Sequence, residues 1–320
     1  MPGEGFEIGW RSLRREHLGA LGEGKRGVNT RNPKINGLTY SVPSLLRTMD
    51  KTDPQVFRVV GTKEVPDWRG VSKHFQGIAP INGVTRISGD ISASADEAWF
   101  AVFHEGENPP AVVDAVWTSE NYDHAGGIQR IGDLLPLPLE NDRGWATVVF
   151  FHGTELLYEV GVPSGHKASA VAVTNYTDAA GHEQALLLVY RYDPKTFNIF
   201  QAPADSIAEK NWNRVGETNA LSDDDQFQCF ALVTQANRNG DQVYLLGFRE
   251  SEHLVLYTVD TGSENFGQLT EVEMFKFEGS QWRYGVGLQI ATPWMLRIFG
   301  CSEDPSGDRD DYEFPIYYWG

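Results

Sequence analysis

The chain has 320 residues, of which 41% are hydrophobic and 12% aromatic, and its formal net charge is −17 at pH 7. A strongly acidic protein repels phosphate backbones and anionic headgroups, so the composition argues against a nucleic-acid partner and against a membrane surface. Two cysteines without a C-x-x-C pair, no signal-peptide pattern and no long apolar run predict a cytoplasmic protein without a disulfide framework.

Residues 1–55 are predicted to form an N-terminal extension. The segment RSLRREHL, which begins at Arg11, could form a short basic helix, and the following GEGKRGVNTRNPKINGL is typical of a loop. We expect the extension to lie across one face of the folded domain, and disorder is the alternative.

A short pattern recurs five times along the rest of the chain. A marker residue, called the head below, is followed three positions later by a small residue and then by a β-like run. The intervals between heads are 50, 42, 60 and 56 residues, which suits a four-stranded propeller blade with its loops. The pairs of head and small residue are His74 with Gly77, His124 with Gly127, His166 with Ser169, Gln226 with Cys229, and Trp282 with Gly285.

Short apolar runs separated by turn residues follow each head. After His124 they are GGIQRIG, LLPLPLE, WATVVFFH and ELLYEVGV, and comparable runs follow His166 and Gln226. Pairs such as Asn82–Gly83 are typical of tight β-turns. No long amphipathic helix is predicted after residue 60, so the pattern indicates an all-β fold.

The fifth unit lacks one strand. After Trp282 come VGLQIA, WMLRIFG and YEFPIYYW, while a β-like run at Val56–Val65 precedes the first head and belongs to no unit. If that run pairs with the C-terminal strand, residues 56–320 form a five-bladed β-propeller in which one blade is closed by N- and C-terminal strands. Ring closure of this kind leaves only short, protected strand edges.

The innermost strands of a propeller converge on its axis, and this crowding explains the small residues. The same arrangement would place the heads in a ring at one mouth of the central channel. His74, His124 and His166 from adjacent blades would then face a common centre. Three imidazoles with an open coordination position are typical of catalytic zinc and also suit copper or iron. Carboxylates would orient the imidazoles, and the nearest in sequence are Asp67, Asp123 and Asp225.

Two other interpretations of the histidines stay open: a pocket for a small ligand without metal, and hydrogen bonding to a neighbouring blade alone. Acidic loops at the same mouth, such as SDDDQ before the fourth unit, would bind calcium, steer a cationic ligand, or only be solvated. The residues expected to line a substrate pocket are Gln226, Trp282, Trp68, Tyr122 and Arg283.

The segment HAGGIQRIGDLLPLPLE resembles a motif of uncharacterised bacterial five-bladed propeller-like proteins, in which a histidine precedes Gly-Gly-Ile-Gln. The resemblance is best over residues 74 to 180, and it implies the repeat without implying an activity. Furanosidases share the five-bladed architecture, but their inward carboxylates do not match heads that are His, His, His, Gln and Trp.

The sequence therefore predicts an enzyme that acts on a small molecule at the axial mouth. His74, His124 and His166 would bind a divalent metal (Zn, Cu or Fe, with Ca at carboxylates as another option) or would transfer protons. The alternative is a non-catalytic propeller that binds a protein or a glycan.

Overall fold

The computed structural model describes residues 10–14, 41–60, 73–81, 83–91, 98–104, 110–118, 122–222, 226–237, 240–262, 264–278, 282, 285–292, 294–301 and 313–320. Within these ranges the chain is all-β apart from one short α-helix, α1 (Val42–Thr48), and a turn of 3₁₀ helix at Ile207–Glu209. The all-β prediction is confirmed. Neither helix of the described part has the length and apolar character needed to cross a membrane.

Twenty-one strands form the described part of the fold. In chain order they are β1 (Trp10–Arg14), β2 (Gln55–Val60), β3 (Lys73–Ile81), β4 (Val84–Ile91), β5 (Ala98–His104), β6 (Ala111–Thr118), β7 (His124–Ala125), β8 (Leu134–Glu140), β9 (Ala146–His152), β10 (Glu155–Gly161), β11 (Ala170–Thr177), β12 (Glu183–Arg191), β13 (Thr196–Pro203), β14 (Asn213–Glu217), β15 (Phe227–Gln235), β16 (Gln242–Arg249), β17 (His253–Val259), β18 (Leu269–Lys276), β19 (Val286–Thr292), β20 (Met295–Cys301) and β21 (Glu313–Trp319). Strands such as β8 and β11 are buried on both faces, which explains their nearly continuous apolar runs.

Twelve of these strands form three four-stranded antiparallel sheets, each made of consecutive strands: β7–β10, β11–β14 and β15–β18. The other nine form one sheet with the order β1-β6-β2-β21-β20-β19-β3-β4-β5, in which β5 also pairs with β6. Two antiparallel groups are visible inside it, β3 to β6 and β19-β20-β21-β2. Within the ranges given above, parallel pairing joins the groups only at Val286 with Gly77 and at Val60 with Ala111.

The predicted pairing of the two chain ends is confirmed. Strand β2 runs antiparallel to β21, with Phe57 opposite Ile316 and Val59 opposite Phe314. The strand begins at Gln55, one residue before the predicted boundary, and residues 61–65 of the predicted run lie outside the described residues. Apolar side chains from both ends, including Val59 and Ile316, share one buried cluster, so the pairing contributes to the core.

The predicted basic helix at the N-terminus is wrong where the structure describes it. Trp10–Arg14 is a strand that pairs with β6, with Leu13 opposite Ala115. The unpaired backbone groups at the edge of β6 offer this segment hydrogen bonds that outweigh its helix propensity. The rest of the predicted helix, residues 15–18, lies outside the described residues.

Helix α1 docks the end of the extension onto the fourth unit. Ser41 caps the helix by accepting a hydrogen bond from Ser44 N at 3.2 Å, and Val42 and Leu46 are fully buried in a cluster with residues of β15–β18. Val42 N also donates to Gln235 Oε1 at 2.7 Å. This part of the extension therefore packs on the sheets.

The regular strand predicted over GGIQRIG is wrong, and two prolines explain why. Gly126 N donates to Pro138 O at 3.1 Å, so this segment lies along the edge of β8 where Pro136 and Pro138 would have to donate backbone hydrogen bonds. Proline has no N–H group to donate. Without those donors a regular ladder cannot form. The segment keeps only a two-residue strand, β7, and isolated bridges at Gly127 and Ile131.

The small residues after the heads lie where backbones crowd, as predicted. A Cβ added at Gly77 would lie 2.4 Å from Ile128 N, and one at Gly127 would lie 2.8 Å from Cys229 Sγ. Gly285 has a φ of 105°, a conformation that favours glycine, and it lies against Gly77. Neighbouring units therefore meet backbone to backbone at this level.

Gln129 crosses the centre of the fold just beyond these glycines. Its Oε1 accepts hydrogen bonds from Val173 N on β11 and Leu232 N on β15, and its Nε2 donates to Leu232 O, all at 2.8 Å. One buried amide thus supplies hydrogen bonds to the inner strands of two other sheets.

Candidate functional site

His124 lies where three sheets meet, and its imidazole is placed between two carboxylates. The pairing of β7 with β8 puts His124 opposite Glu140, with 3.4 Å between Nδ1 and Glu140 Oε1. Nε2 is 3.7 Å from Oδ2 of Asp90, which comes from β4 of the nine-stranded sheet. The imidazole is 26% exposed, whereas the carboxylates are about 10% exposed, so the ring is the accessible member of the cluster.

Glu140 is held on its other side by the segment that leads into β11. Its Oε2 accepts a hydrogen bond from Ala168 N at 2.7 Å, and Ser169 Oγ donates to both carboxylate oxygens at 3.2 and 3.1 Å. The ammonium group of Lys167 adds a nearby positive charge. Glu140 therefore has a fixed position from which it orients the imidazole.

The surrounding charges set the protonation of this pair. Burial alone would lower the pKa of His124, but the carboxylate of Glu140, followed by those of Asp90 and Asp123, raises the pKa above its ordinary value. Burial likewise opposes the charge of Glu140, yet His124, the N–H of Ala168 and Lys167 lower the pKa of Glu140. The two groups therefore stabilise each other's charge: the Glu140 carboxylate favours the protonated imidazole, and the imidazolium favours the ionised carboxyl group.

This arrangement can bind a polar ligand and exchange a proton with it. The 3.7 Å between Nε2 and Asp90 is longer than a hydrogen bond, so the imidazole N–H is not fully committed to Asp90. Glu140 meanwhile stabilises the imidazolium from Nδ1, which is the arrangement of a carboxylate–imidazole acid–base pair. The excess negative charge of the cluster favours ligands that carry hydroxyl or cationic groups.

The three predicted histidines are not brought together by contacts in the described part. His166 Nδ1 is 3.2 Å from Oδ1 of Asn198 on β13, the same oxygen that accepts from Arg214 Nε at 3.0 Å. His166 and His124 therefore have different partners. The backbone of His74 lies in β3 opposite Asp90, but its side chain is outside what the structure describes.

No group of three or more His, Cys, Asp or Glu side chains suited to a metal ion occurs among the described residues. The imidazole of His74 is not among these described side chains. The three-histidine metal site stays a prediction.

The predicted pocket residues have several locations. Trp282 is fully buried against Phe248, Phe277 and Trp319, so its position supports a packing role and not the expected contact with substrate. Gln226 is exposed, and Trp68 and Arg283 lie outside the described residues.

Tyr122 is half-buried beside the site. Its carbonyl accepts a hydrogen bond from Ala98 N at 3.0 Å. Burial, with a smaller contribution from Glu159, raises the pKa of the Tyr122 hydroxyl to about 12, so this group is a hydrogen-bond donor at neutral pH.

The sequence analysis missed Asp90 and Glu140, the two carboxylates that contact His124. Of the three carboxylates it named, Asp123 contributes to the pKa of His124, while Asp67 and Asp225 lie outside the described residues. The missing signal is hairpin register. Glu140 faces His124 at an equal distance from Gly132, so counting from that turn would have found it. Asp90 faces His74 in a hairpin whose register shifts between Phe75 and Gly77, and it reaches His124 from a different sheet, so counting would have missed it.

No protein-family model matches the chain, and no curated protein does. Among solved structures, the exo-beta-1,3-galactanase of Phanerochaete chrysosporium with galactose is 9% identical, with a TM-score of 0.45 over 78% of this chain and 60% of the galactanase. RS223-beta-xylosidase is 10% identical, with a TM-score of 0.45 over 83% of this chain and 94% of that one. The SapL1 lectin in complex with alpha methyl fucoside is 10% identical, with a TM-score of 0.41 over 70% of this chain and 71% of that one. Likeness at this level assigns neither a fold family nor an activity to the chain.

Proposed function

We propose that this protein is an enzyme that acts on a small polar molecule, built on a five-bladed β-propeller, with His124 as its proton-transfer group. The observation that carries the proposal is the placement of a partly exposed imidazole between Glu140 and Asp90 at the junction of three sheets. Glu140 would stabilise the protonated ring, and Asp90 would bind a hydroxyl or a cationic group of the substrate beside Nε2.

The five-bladed ring is proposed from the pairing pattern. The two antiparallel groups of the nine-stranded sheet each contain four consecutive partners, like the three separate sheets, and parallel contacts join them at single residue pairs. Counting these two groups and the three separate sheets as blades gives five blades. Strand β1 is then an additional strand at the outer edge of the group β3 to β6. A crystal structure tests this, and a ring of any other number would contradict it.

A divalent metal is a second form of the same proposal. His124 would bind it together with His74 and His166, leaving a position open for substrate. Metal analysis of the untagged protein tests this form. About one equivalent of Zn, Cu or Fe that is lost in a folded His124→Ala variant would support it, and a metal content unchanged by that variant would contradict it.

Proton transfer by His124 is tested by activity screening with small-molecule substrates such as nitrophenyl esters, glycosides and phosphodiesters. We expect any activity found to fall at least about 100-fold in kcat/KM in His124→Gln, because general acid–base groups contribute about that much. His253→Gln is the matched control, since His253 contacts Ser251 at the start of β17 and is not part of the cluster. An activity that survives in His124→Gln would contradict the assignment.

Two exposed aromatic side chains favour the second candidate function, a non-catalytic propeller that binds a glycan or a protein. Trp145 and Tyr192 are 39% and 52% exposed, and they occupy the loops that follow β8 and β12 at the same end of the sheets as His124. Aromatic faces at a polar surface suit stacking on sugar rings. Binding on a glycan array that is lost in Trp145→Ala and Tyr192→Ala but retained in His124→Gln would favour this candidate over the enzyme.

A further inference from the structure

A pair of buried arginines lies at the other end of the same sheet junction. On β4, Arg86, Ser88 and Asp90 alternate along one face; Asp90 approaches His124, and Ser88 Oγ donates to Gly126 O at 2.7 Å. Arg86 is the next member of this series, about 13 Å along the strand from Asp90. Its charge acts on that of Arg130. Both arginines are only 7% exposed.

Arg130 has fewer partners than its donors require. Its Nη2 donates to Gly132 O and is 3.9 Å from Asp133 Oδ1, beyond hydrogen-bond range. Its Nε and Nη1 are buried, and no acceptor for them exists among the residues that the structure describes. Buried charged donors without acceptors are costly, so a group that is not part of this chain is expected to supply them.

Charge also favours an added anion. Burial, followed by the neighbouring charge of Arg86, lowers the pKa of Arg130 to about 9, while Asp133 opposes both effects. Asp133 is 41% exposed, so its carboxylate is partly solvated and compensates weakly. Ordered water could accept the two hydrogen bonds, but it would not relieve the repulsion between two guanidinium groups.

We propose that Arg86 and Arg130 bind a small oxyanion, such as a phosphate, sulfate or carboxylate group, at the end of this junction away from His124. The planar guanidinium offers adjacent N–H donors that match two oxygens of one such group. In a chain with a net charge of −17, binding of an anion requires a specific local arrangement of this kind. The proposal is independent of the function proposed for His124.

Thermal unfolding in sodium phosphate, sulfate and acetate, each compared with sodium chloride at equal ionic strength, tests the proposal. We expect at least one oxyanion to raise Tm of the wild type by about 2–5 °C in a saturable way, since ligands that bind only the native state stabilise it. The preferred anion identifies the chemical class. Arg130→Met should lose this increment, whereas Arg47→Met should keep it, because Arg47 forms an exposed ion pair with Glu273 on a distant surface.

Two results would overturn the proposal. One is an equal increment in Arg130→Met and the wild type, which would show general salt stabilisation. The other is no difference between any oxyanion and chloride in the wild type. If Arg130→Met does not fold, calorimetric titration of the best anion into the wild type and into Arg86→Lys decides. The lysine keeps the charge but loses the paired donors, so this variant should bind the anion at least 10-fold more weakly. Equal affinity would overturn the proposal.

Discussion

Gln129 provides a direct test of how the sheets are held together at the centre of the fold. The variant Gln129→Leu keeps a similar side-chain volume but removes three hydrogen bonds of 2.8 Å to Val173 and Leu232. Leaving a buried polar group unpaired costs about 1–3 kcal/mol. Three such losses predict that the free energy of unfolding falls by about 3 kcal/mol at the low end of that range.

Urea denaturation followed by tryptophan fluorescence measures this loss. The midpoint should fall while the slope with denaturant stays unchanged, because the variant alters native contacts and not the area exposed on unfolding. Gln268→Leu is the control, since Gln268 is exposed and should change stability by less than about 0.5 kcal/mol. A loss below about 1 kcal/mol in Gln129→Leu would refute the view that this amide joins the inner strands.

Backbone crowding and the charged cluster make two further predictions. Gly126→Ala should lower the free energy of unfolding by about 2 kcal/mol or more, because its Cβ would lie 1.9 Å from Ser169 O. Gly161→Ala, with open space around the added Cβ, should be nearly neutral in calorimetry. Equal effects of the two variants would contradict the crowding. Because the pKa of His124 is raised, its contribution to stability is fully present below pH 6.5 and is lost as pH rises through the folded pKa. Because the pKa of Glu140 is lowered, its contribution is present above pH 4.5 and is lost as pH falls through the folded pKa. A pH series of Tm should show both limbs, and Glu140→Gln should reduce them; an unchanged profile in that variant would show that the pair does not contribute.

Much of the fold follows from local sequence signals. Continuous apolar runs such as that of β8 predict buried strands, and the match between β2 and β21 follows from a unit that lacks one strand. The small residues after the heads were predictable because inner strands approach closely there: a Cβ added at Gly127 would lie 2.8 Å from Cys229 Sγ.

Other features depend on pairing that no single segment encodes. The disruption of the strand after His124 arises from prolines on the neighbouring strand, and β1 forms because a distant edge is available. Glu140 reaches His124 through the register of the β7–β8 hairpin, and Asp90 reaches it from a strand of another sheet. An aromatic head such as Trp282 suits a pocket wall or a core equally well, and only its contacts show that it belongs to the core.

The protonation of His124 tests the proposed site most directly, because it requires no substrate. Two-dimensional NMR of protein labelled with ¹³C at histidine Cε1, titrated with pH and assigned with His124→Gln, gives the pKa of each imidazole. The proposed cluster predicts a pKa for His124 above 6.5 that falls in both Glu140→Gln and Asp90→Asn. A pKa at or below 6.5 in the wild type, or one that neither variant changes, would show that the carboxylates do not hold the imidazole as described.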